Sequence, residues 1–181
     1  MKLNNKDIAI ISLIAALMIV IGYFIYLLSV FFPLPGSKFI IMSGFLSFMI
    51  TIAIVKVEKN GVVTLISIVF GVIMGFISIV MGLAIILTGI LTELTALILF
   101  NNYQRKRNIV FTSSFYPFYS FILGLLATNY ITGNHLFKIG GVIPFIISGL
   151  IVFGLGILGS LAAYKIVFSR LELKNNNLSK F

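Results

Sequence analysis

One acidic residue lies where an ionisable group is least expected. The 181-residue chain has four acidic residues, one histidine and no cysteine. Glu93 sits inside a long apolar stretch, between a predicted turn at Met81-Gly82 and the polar loop after Phe100. At about 1.5 Å per helical residue, this spacing puts it near the centre of a bilayer. Since a charge there is costly, we expect one of two roles. Either Glu93 binds substrate or a proton, or it is protonated and bonds to a neighbouring helix to fix the packing.

Other polar side chains accompany Glu93. Thr88 and Thr92 lie toward the outer side of the same predicted helix, on nearby faces. Tyr116 and Tyr119 are three residues apart across Pro117, so they share a helix face and either line a site for a flat ring or pack against neighbours.

Two polar residues fall near the predicted outer surface. Asn129, at the outer end of the fifth predicted helix, is a candidate for hydrogen bonding a ligand. His135 lies in the next outer loop, where it either faces solvent or caps a pocket.

The sequence excludes several kinds of chemistry. A single histidine and no cysteine leave no basis for a structural zinc site, and we expect no metal and no cofactor. The chain has no phosphate-binding G-x-x-x-x-G-K-[ST] motif, no G-x-S-x-G and no H-E-x-x-H. It is therefore not expected to hydrolyse ATP or to act as an enzyme.

The composition predicts an all-α membrane protein. Hydrophobic residues make up 60% of the chain and charged residues only 9%, whereas a soluble domain carries roughly 25% charged residues. We predict a single bundle of six transmembrane helices, because the apolar segments match the length of about 20 residues that crosses a bilayer. The predicted spans cover about 8–32, 39–55, 62–80, 83–100, 109–131 and 139–168.

The basic residues predict the orientation. With the N-terminus inside, the outer loops hold only Lys38 and Lys138, and the inner segments hold the other 11 of the 13 lysines and arginines. Cytoplasmic loops carry such an excess, so both termini are expected in the cytoplasm. The net charge of +9 is read as this bias and not as nucleic-acid binding. The Ile, Lys, Asn and Phe bias suggests an AT-rich bacterial genome, and the expected location is the plasma membrane of a bacterium.

Small residues recur at four-residue spacing on three predicted helices. Such stripes allow close packing in lipid, either within one bundle or against another membrane subunit. They are Ser12 and Ala16, then Ser67, Gly71 and Gly75, then Gly159 and Ala163.

The chain resembles the substrate-binding (S) components of energy-coupling factor (ECF) transporters, and within them the Trep-Strep group. The similar stretch runs over about 56–121. It includes Lys56–Gly61, the Gly71–Gly75 pair, Thr88–Leu94 and the loop around Asn102-Tyr103.

The resemblance implies a function and partners. S components capture a vitamin or a similar micronutrient outside the cell, then dock on a transmembrane coupling subunit that carries two ATPases. The family's Ala-x-x-x-Ala docking motif on the first helix corresponds here to Ser12 and Ala16, with serine replacing the first alanine.

The family pocket lies in the outer half of the bundle, between helices 4, 5 and 6 and under the loop that joins the first two helices. In this chain that loop is Pro33–Lys38, a possible lid with Gly36 as hinge. The expected substrate-binding residues are Lys38, Thr88, Thr92, Glu93, Tyr116, Tyr119, Asn129 and His135.

Three alternatives stay open at this stage. The chain is a non-transporting scaffold or assembly subunit, a small stand-alone permease, or an S component whose cargo is a larger tetrapyrrole. The partners expected in the leading interpretation are a small molecule, the coupling module and the lipid bilayer.

Overall fold

A computed structural model describes residues 4–29, 31, 37–100, 105–131 and 143–178. This part of the chain is helical, with six α-helices and one π-helical turn. They are α1 (Asn5–Ser29), α2 (Ser37–Val57), α3 (Val62–Gly75), α4 (Ile79–Phe100), α5 (Lys106–Leu126), the π-helical turn (Ala127–Ile131) and α6 (Ile143–Leu178).

The all-α membrane class is confirmed at the level of helices and their apolar character. Within the described ranges, five helices (α1, α2, α4, α5 and α6) are long and apolar enough to cross a membrane. Their outer faces carry large apolar side chains such as Phe24 and Ile98, the latter 81% exposed. Such a surface belongs in lipid, so the chain is a multi-pass membrane protein. Six spans and cytoplasmic termini stay predictions.

The α2 helix lies at the centre of the bundle. It packs against α1, α5 and α6, while α3 packs between α1 and α4, and α5 contacts both α4 and α6. The largest buried cluster joins α1 to α4 through residues such as Met18, Ile50 and Ile66. A smaller cluster joins the ends of α5 and α6 through Phe121 and Phe145.

The start of α1 is fixed by its own side chains and by an ion pair. The backbone N–H of Asn4 donates to Oδ2 of Asp7 at 2.9 Å, as in a helix capping box. The same oxygen lies 2.6 Å from Nζ of Lys59, in the connection between α2 and α3. This pair ties the first turn of α1 to that connection.

The predicted turn between α3 and α4 is wrong by about five residues. We expected it at Met81-Gly82, but α3 ends at Gly75 and α4 begins at Ile79. Gly82 instead lies inside α4, where a Cβ atom would sit 2.6 Å from the carbonyl oxygen of Gly71. The glycine therefore serves close contact between the helices and does not form a turn.

This shift leaves α3 short. Its 14 residues rise only about 21 Å, less than the bilayer core of about 30 Å. The turn after it exposes Phe76 and Ile77, at 88% and 77%.

The remaining boundaries differ by at most four residues, except that the last helix ends at 178 and was predicted to end at 168. The first span was predicted over 8–32 and the helix covers Asn5–Ser29. The second was predicted over 39–55 and covers Ser37–Val57. The fifth was predicted over 109–131, and its α-helical part Lys106–Leu126 continues as the π-helical turn. The last was predicted over 139–168, and α6 covers Ile143–Leu178.

Two of the small-residue stripes pack inside the bundle. Gly89 of α4 lies so close to Ser67 of α3 that a Cβ atom would overlap its side chain. On the other side, a Cβ on Gly159 of α6 would overlap the backbone of Gly44 on α2. Helices approach backbone to backbone at these glycines, as small residues allow in lipid.

A proline inside α5 is accommodated by α2. Pro117 lacks an N–H, so the carbonyl of Ser113 has no helical donor. The hydroxyl of Ser47 on α2 donates to that carbonyl at 2.5 Å. On α6, Gly156 also allows close packing against this proline, since a Cβ atom there would lie 3.2 Å from Cγ of Pro117.

Candidate functional site

A cavity of about 420 Å³ opens within one end of the bundle. Its walls come from the C-terminal halves of α1, α3 and α5 and the N-terminal halves of α2 and α4. None of the described lining residues comes from α6, whereas the family resemblance implies a pocket between helices 4, 5 and 6. These five helix ends lie on the same side of the bundle. With the orientation predicted from the loop charges, this is the outer side.

Most of the lining is apolar. Four of the six methionines in the chain line the cavity, together with aromatic rings from α1, α2, α3 and α5. The methionines are Met18, Met42, Met74 and Met81, and the aromatic residues are Tyr23, Phe39, Phe70 and Tyr116. An apolar cavity with a few placed polar groups is the usual form of a small-molecule site.

Lys38 contributes the charge. Among the described lining residues it is the only charged side chain. It is exposed and lies in the first turn of α2, with Nζ 5.8 Å from the centroid of the Phe39 ring. A lysine can hold its stem along apolar surface while its ammonium reaches water or a ligand.

The remaining polar groups are hydroxyls. Tyr116 is only 2% exposed, and its hydroxyl oxygen lies 3.3 Å from Oγ of Ser67 on α3. Ser120 and Thr128 line the cavity from the later part of α5 and the π-helical turn. The Thr128 hydroxyl donates to the carbonyl of Gly124 at 2.8 Å.

The structure brings two of the predicted substrate residues together. Lys38 and Tyr116 both line the cavity. His135 lies outside the described residues, as do residues 33–36 of the predicted lid.

Four other predicted residues are described and do not line the cavity. The hydroxyls of Thr88 and Thr92 donate to carbonyls one turn earlier in α4, at 2.8 and 2.7 Å. Tyr119 shares a 2.7 Å hydrogen bond with Thr95. Asn129 is buried in the π-helical turn, beside the lining residue Thr128.

Glu93 does not line the cavity either. Its carboxylate accepts backbone N–H bonds from Gly61 at 2.6 Å, Val63 at 3.1 Å and Thr64 at 3.4 Å. These are orphan donors at the start of α3, and a carboxylate there also complements the helix dipole.

The mid-membrane depth predicted for Glu93 was counted from a turn that the structure places about five residues earlier in the chain. With α4 placed at Ile79–Phe100, the residue lies level with the start of α3, at the opposite end of α3 from Met74. The geometry favours the packing role over contact with a ligand in this cavity.

The sequence interpretation missed the methionines, Ser120 and Thr128. A partial signal for the methionines existed, because Met42 and Met74 fall in the outer halves of their predicted spans and Met81 in the predicted outer turn, whereas Met18 falls in the inner half of its predicted span. Methionine is common in membrane helices, however, and convergence of these four depends on how the helices pack.

The predicted docking residues lie on the outside of α1. Ser12 and Ala16 are exposed, while their neighbours Ile11 and Ala15 are buried in the bundle. This stripe is therefore not used for packing among the described helices, unlike those of α3 and α6.

The chain matches no family model, and no curated protein and no solved structure is significantly similar to it. Within the described ranges, no three His, Asp or Glu side chains come together as a metal site would require. What the site can bind is therefore argued from its own geometry.

Proposed function

We propose that this protein captures a small organic molecule at the outer side of a bacterial plasma membrane, as the S component of an ECF-type importer. The cavity carries this proposal. It is enclosed by five helix ends, is largely apolar and holds a few polar groups, which suits reversible binding of a small molecule.

The size of the cavity favours a small cargo. Ligand sites range over about 300–1,000 Å³, and this cavity of about 420 Å³ lies near the lower end. A vitamin or a precursor of similar size fits better than a tetrapyrrole.

The chain needs partners to do work in this scheme. It has no phosphate-binding motif for ATP, and the carboxylate of Glu93 is bonded to the start of α3. Ion-coupled pumps use intramembrane carboxylates as relays, and Glu93 is not placed for that task. Energy would come from two ATPases through a coupling subunit, docked on the exposed Ser12–Ala16 stripe of α1.

A scaffold role and a stand-alone permease role each leave one feature of the structure unexplained. A scaffold subunit would have no use for a methionine-lined cavity that opens at one end of the bundle. A stand-alone permease would need a route to the other side, and the inner half is filled by the buried cluster around Ile50 and Ile54.

Co-purification tests the proposal. The tagged protein, extracted from its own host membrane, should retain one coupling subunit and two ATPases. Ala16→Leu should lower that recovery at least about tenfold, because a larger side chain blocks close helix approach. Ala162→Leu is the matched control, since Ala162 is exposed on α6.

Two outcomes would count against the importer role. One is recovery of the protein alone under conditions that preserve other membrane complexes. The other is equal loss of partners in both alanine variants, which would point to damage to the fold. Native mass spectrometry of the same samples reports whether a small molecule is bound.

A further inference from the structure

We propose that the cargo is a small amphipathic monoanion, whose carboxylate meets Lys38 and whose apolar body lies among the methionines. This rests on the proposed capture function and names the chemical class that the site would take. Three features of the cavity carry it: the sign of its charge, the position of that charge and the softness of its walls.

The sign of the charge disfavours cations. Among the described lining residues, Lys38 is charged and none is acidic. An organic cation would meet Lys38 with no compensating carboxylate, at a cost that grows where water is scarce. A neutral ligand can offer the ammonium a hydrogen-bond acceptor, whereas an anion adds the attraction between opposite charges and forms the stronger bond.

The position of Lys38 strengthens this preference. It is the second residue of α2, where the helix dipole is positive and a cation is disfavoured. The contact that the structure gives its ammonium is with the Phe39 ring at 5.8 Å. A bound carboxylate would offset the unfavourable interaction between the Lys38 ammonium and the helix dipole. The ammonium could contact the carboxylate and the Phe39 ring at the same time.

One positive side chain matches one negative charge. Phosphate groups carry up to two charges and are usually held by several basic groups or backbone donors. The described walls offer a single lysine, so a monocarboxylate fits better than a phosphate ester.

The apolar lining of the cavity indicates the chemical character of the rest of the ligand. Thioethers are polarisable, and their side chains adapt to irregular shapes and contact aromatic rings favourably. Met18 and Met42 approach from α1 and α2, while Met74 and Met81 approach from α3 and α4. A ring or a short chain between them would be held mainly by apolar contact.

The test compares carboxylates with uncharged analogues of the same shape. The probes are 4-phenylbutyrate, indole-3-propionate and octanoate, each with its primary amide. Binding is measured by calorimetry on protein in neutral phosphatidylcholine nanodiscs, with empty nanodiscs to subtract partition into lipid. We expect at least one carboxylate to bind about tenfold or more tightly than its amide.

Variants assign the preference to Lys38. Lys38→Met should bring acid and amide within about twofold of each other, and Lys38→Arg should keep the preference because it keeps the charge. Lys106→Met is the matched control. Lys106 also opens a helix and lies 5.3 Å from an aromatic ring, that of Tyr164, but it does not line the cavity.

The proposal is overturned if no carboxylate binds, if amides bind as well as acids, or if Lys38→Met leaves the preference intact. Its failure is distinguishable from failure of the importer role. Loss of the acid preference with partners still recovered refutes only the cargo class. An acid preference in a protein that recruits no ATPases refutes only the importer role.

Discussion

The hydroxyl of Ser47 on α2 donates at 2.5 Å to the carbonyl of Ser113 on α5, the carbonyl that Pro117 leaves without a helical donor. In lipid no water replaces a missing backbone bond, so a proline is tolerated where a neighbouring helix supplies the donor. A proline and a serine 70 residues apart in sequence thus stabilise one contact between helices.

This pairing predicts a coupling that a double-mutant cycle can measure. Ser47→Ala should lower the apparent free energy of unfolding by about 1 kcal/mol, since it leaves a buried carbonyl without a donor. In a Pro117→Ala background the helix regains its own N–H, and Ser47→Ala should then cost less than about half as much. Unfolding in mixed micelles by SDS titration provides the measurement.

Ser43→Ala is the control for this cycle. Ser43 is also buried on α2, but its hydroxyl donates to the carbonyl of Ile40 in the same helix at 2.7 Å. Its cost should be the same in both backgrounds. Equal costs of Ser47→Ala with and without Pro117 would show that the serine does not replace the missing donor.

Glu93 should matter for stability more than for binding. Glu93→Gln replaces a carboxylate that accepts three backbone bonds with an amide whose NH₂ group cannot accept them. We expect a loss of about 1–2 kcal/mol in unfolding free energy, as for a lost helix cap. Affinity for a ligand bound in the cavity should change by less than about twofold.

Glu58→Gln makes the same chemical change at an exposed site in the connection before α3. It should leave the unfolding free energy close to that of the unaltered protein. If Glu93→Gln keeps its stability and loses affinity, the substrate role first expected for Glu93 is the correct one.

Single cysteines can decide the number of spans, because the chain has no cysteine of its own. Phe31, Asn60 and Arg105 are exposed positions between helices. With six spans and an inner N-terminus, a membrane-impermeant maleimide should label Phe31→Cys in intact cells. Asn60→Cys and Arg105→Cys should react only after the cells are opened.

Arg105 is the discriminating position. If α3 entered the membrane and returned to the same side, α4 would emerge outside and Arg105→Cys would react in intact cells. If both α3 and α4 cross, it stays protected. Reaction of Asn60→Cys in intact cells would instead reverse the predicted orientation.

The helical membrane class could be predicted from the sequence because it depends on local composition. Apolar runs of sufficient length and the scarcity of charge require helices in lipid, whatever the packing. The break between α3 and α4 could not be placed in the same way. Gly75 and Gly82 are both plausible turn residues in sequence, and the contact of Gly82 with Gly71 decides between them.

The candidate site shows the same division. Lys38 and Tyr116 could be singled out as polar groups in apolar surroundings, and both line the cavity. Glu93 was singled out for the same reason, but its partner is the backbone near Gly61, 32 residues away. A buried polar group can be recognised in sequence, while the group that satisfies it depends on tertiary structure.

Because α3 is short, the protein should be sensitive to the thickness of the surrounding bilayer. Beside α4, whose 22 residues rise about 33 Å, the 14 residues of α3 leave a step of about 12 Å on one flank. This step lies at the start of α3, level with Glu93, because the turn at Phe76 and Ile77 joins the other ends of the two helices. About two turns of α4 therefore extend past the start of α3, at the end of the hairpin away from the cavity, and lipid chain length should affect how that end of α4 is covered.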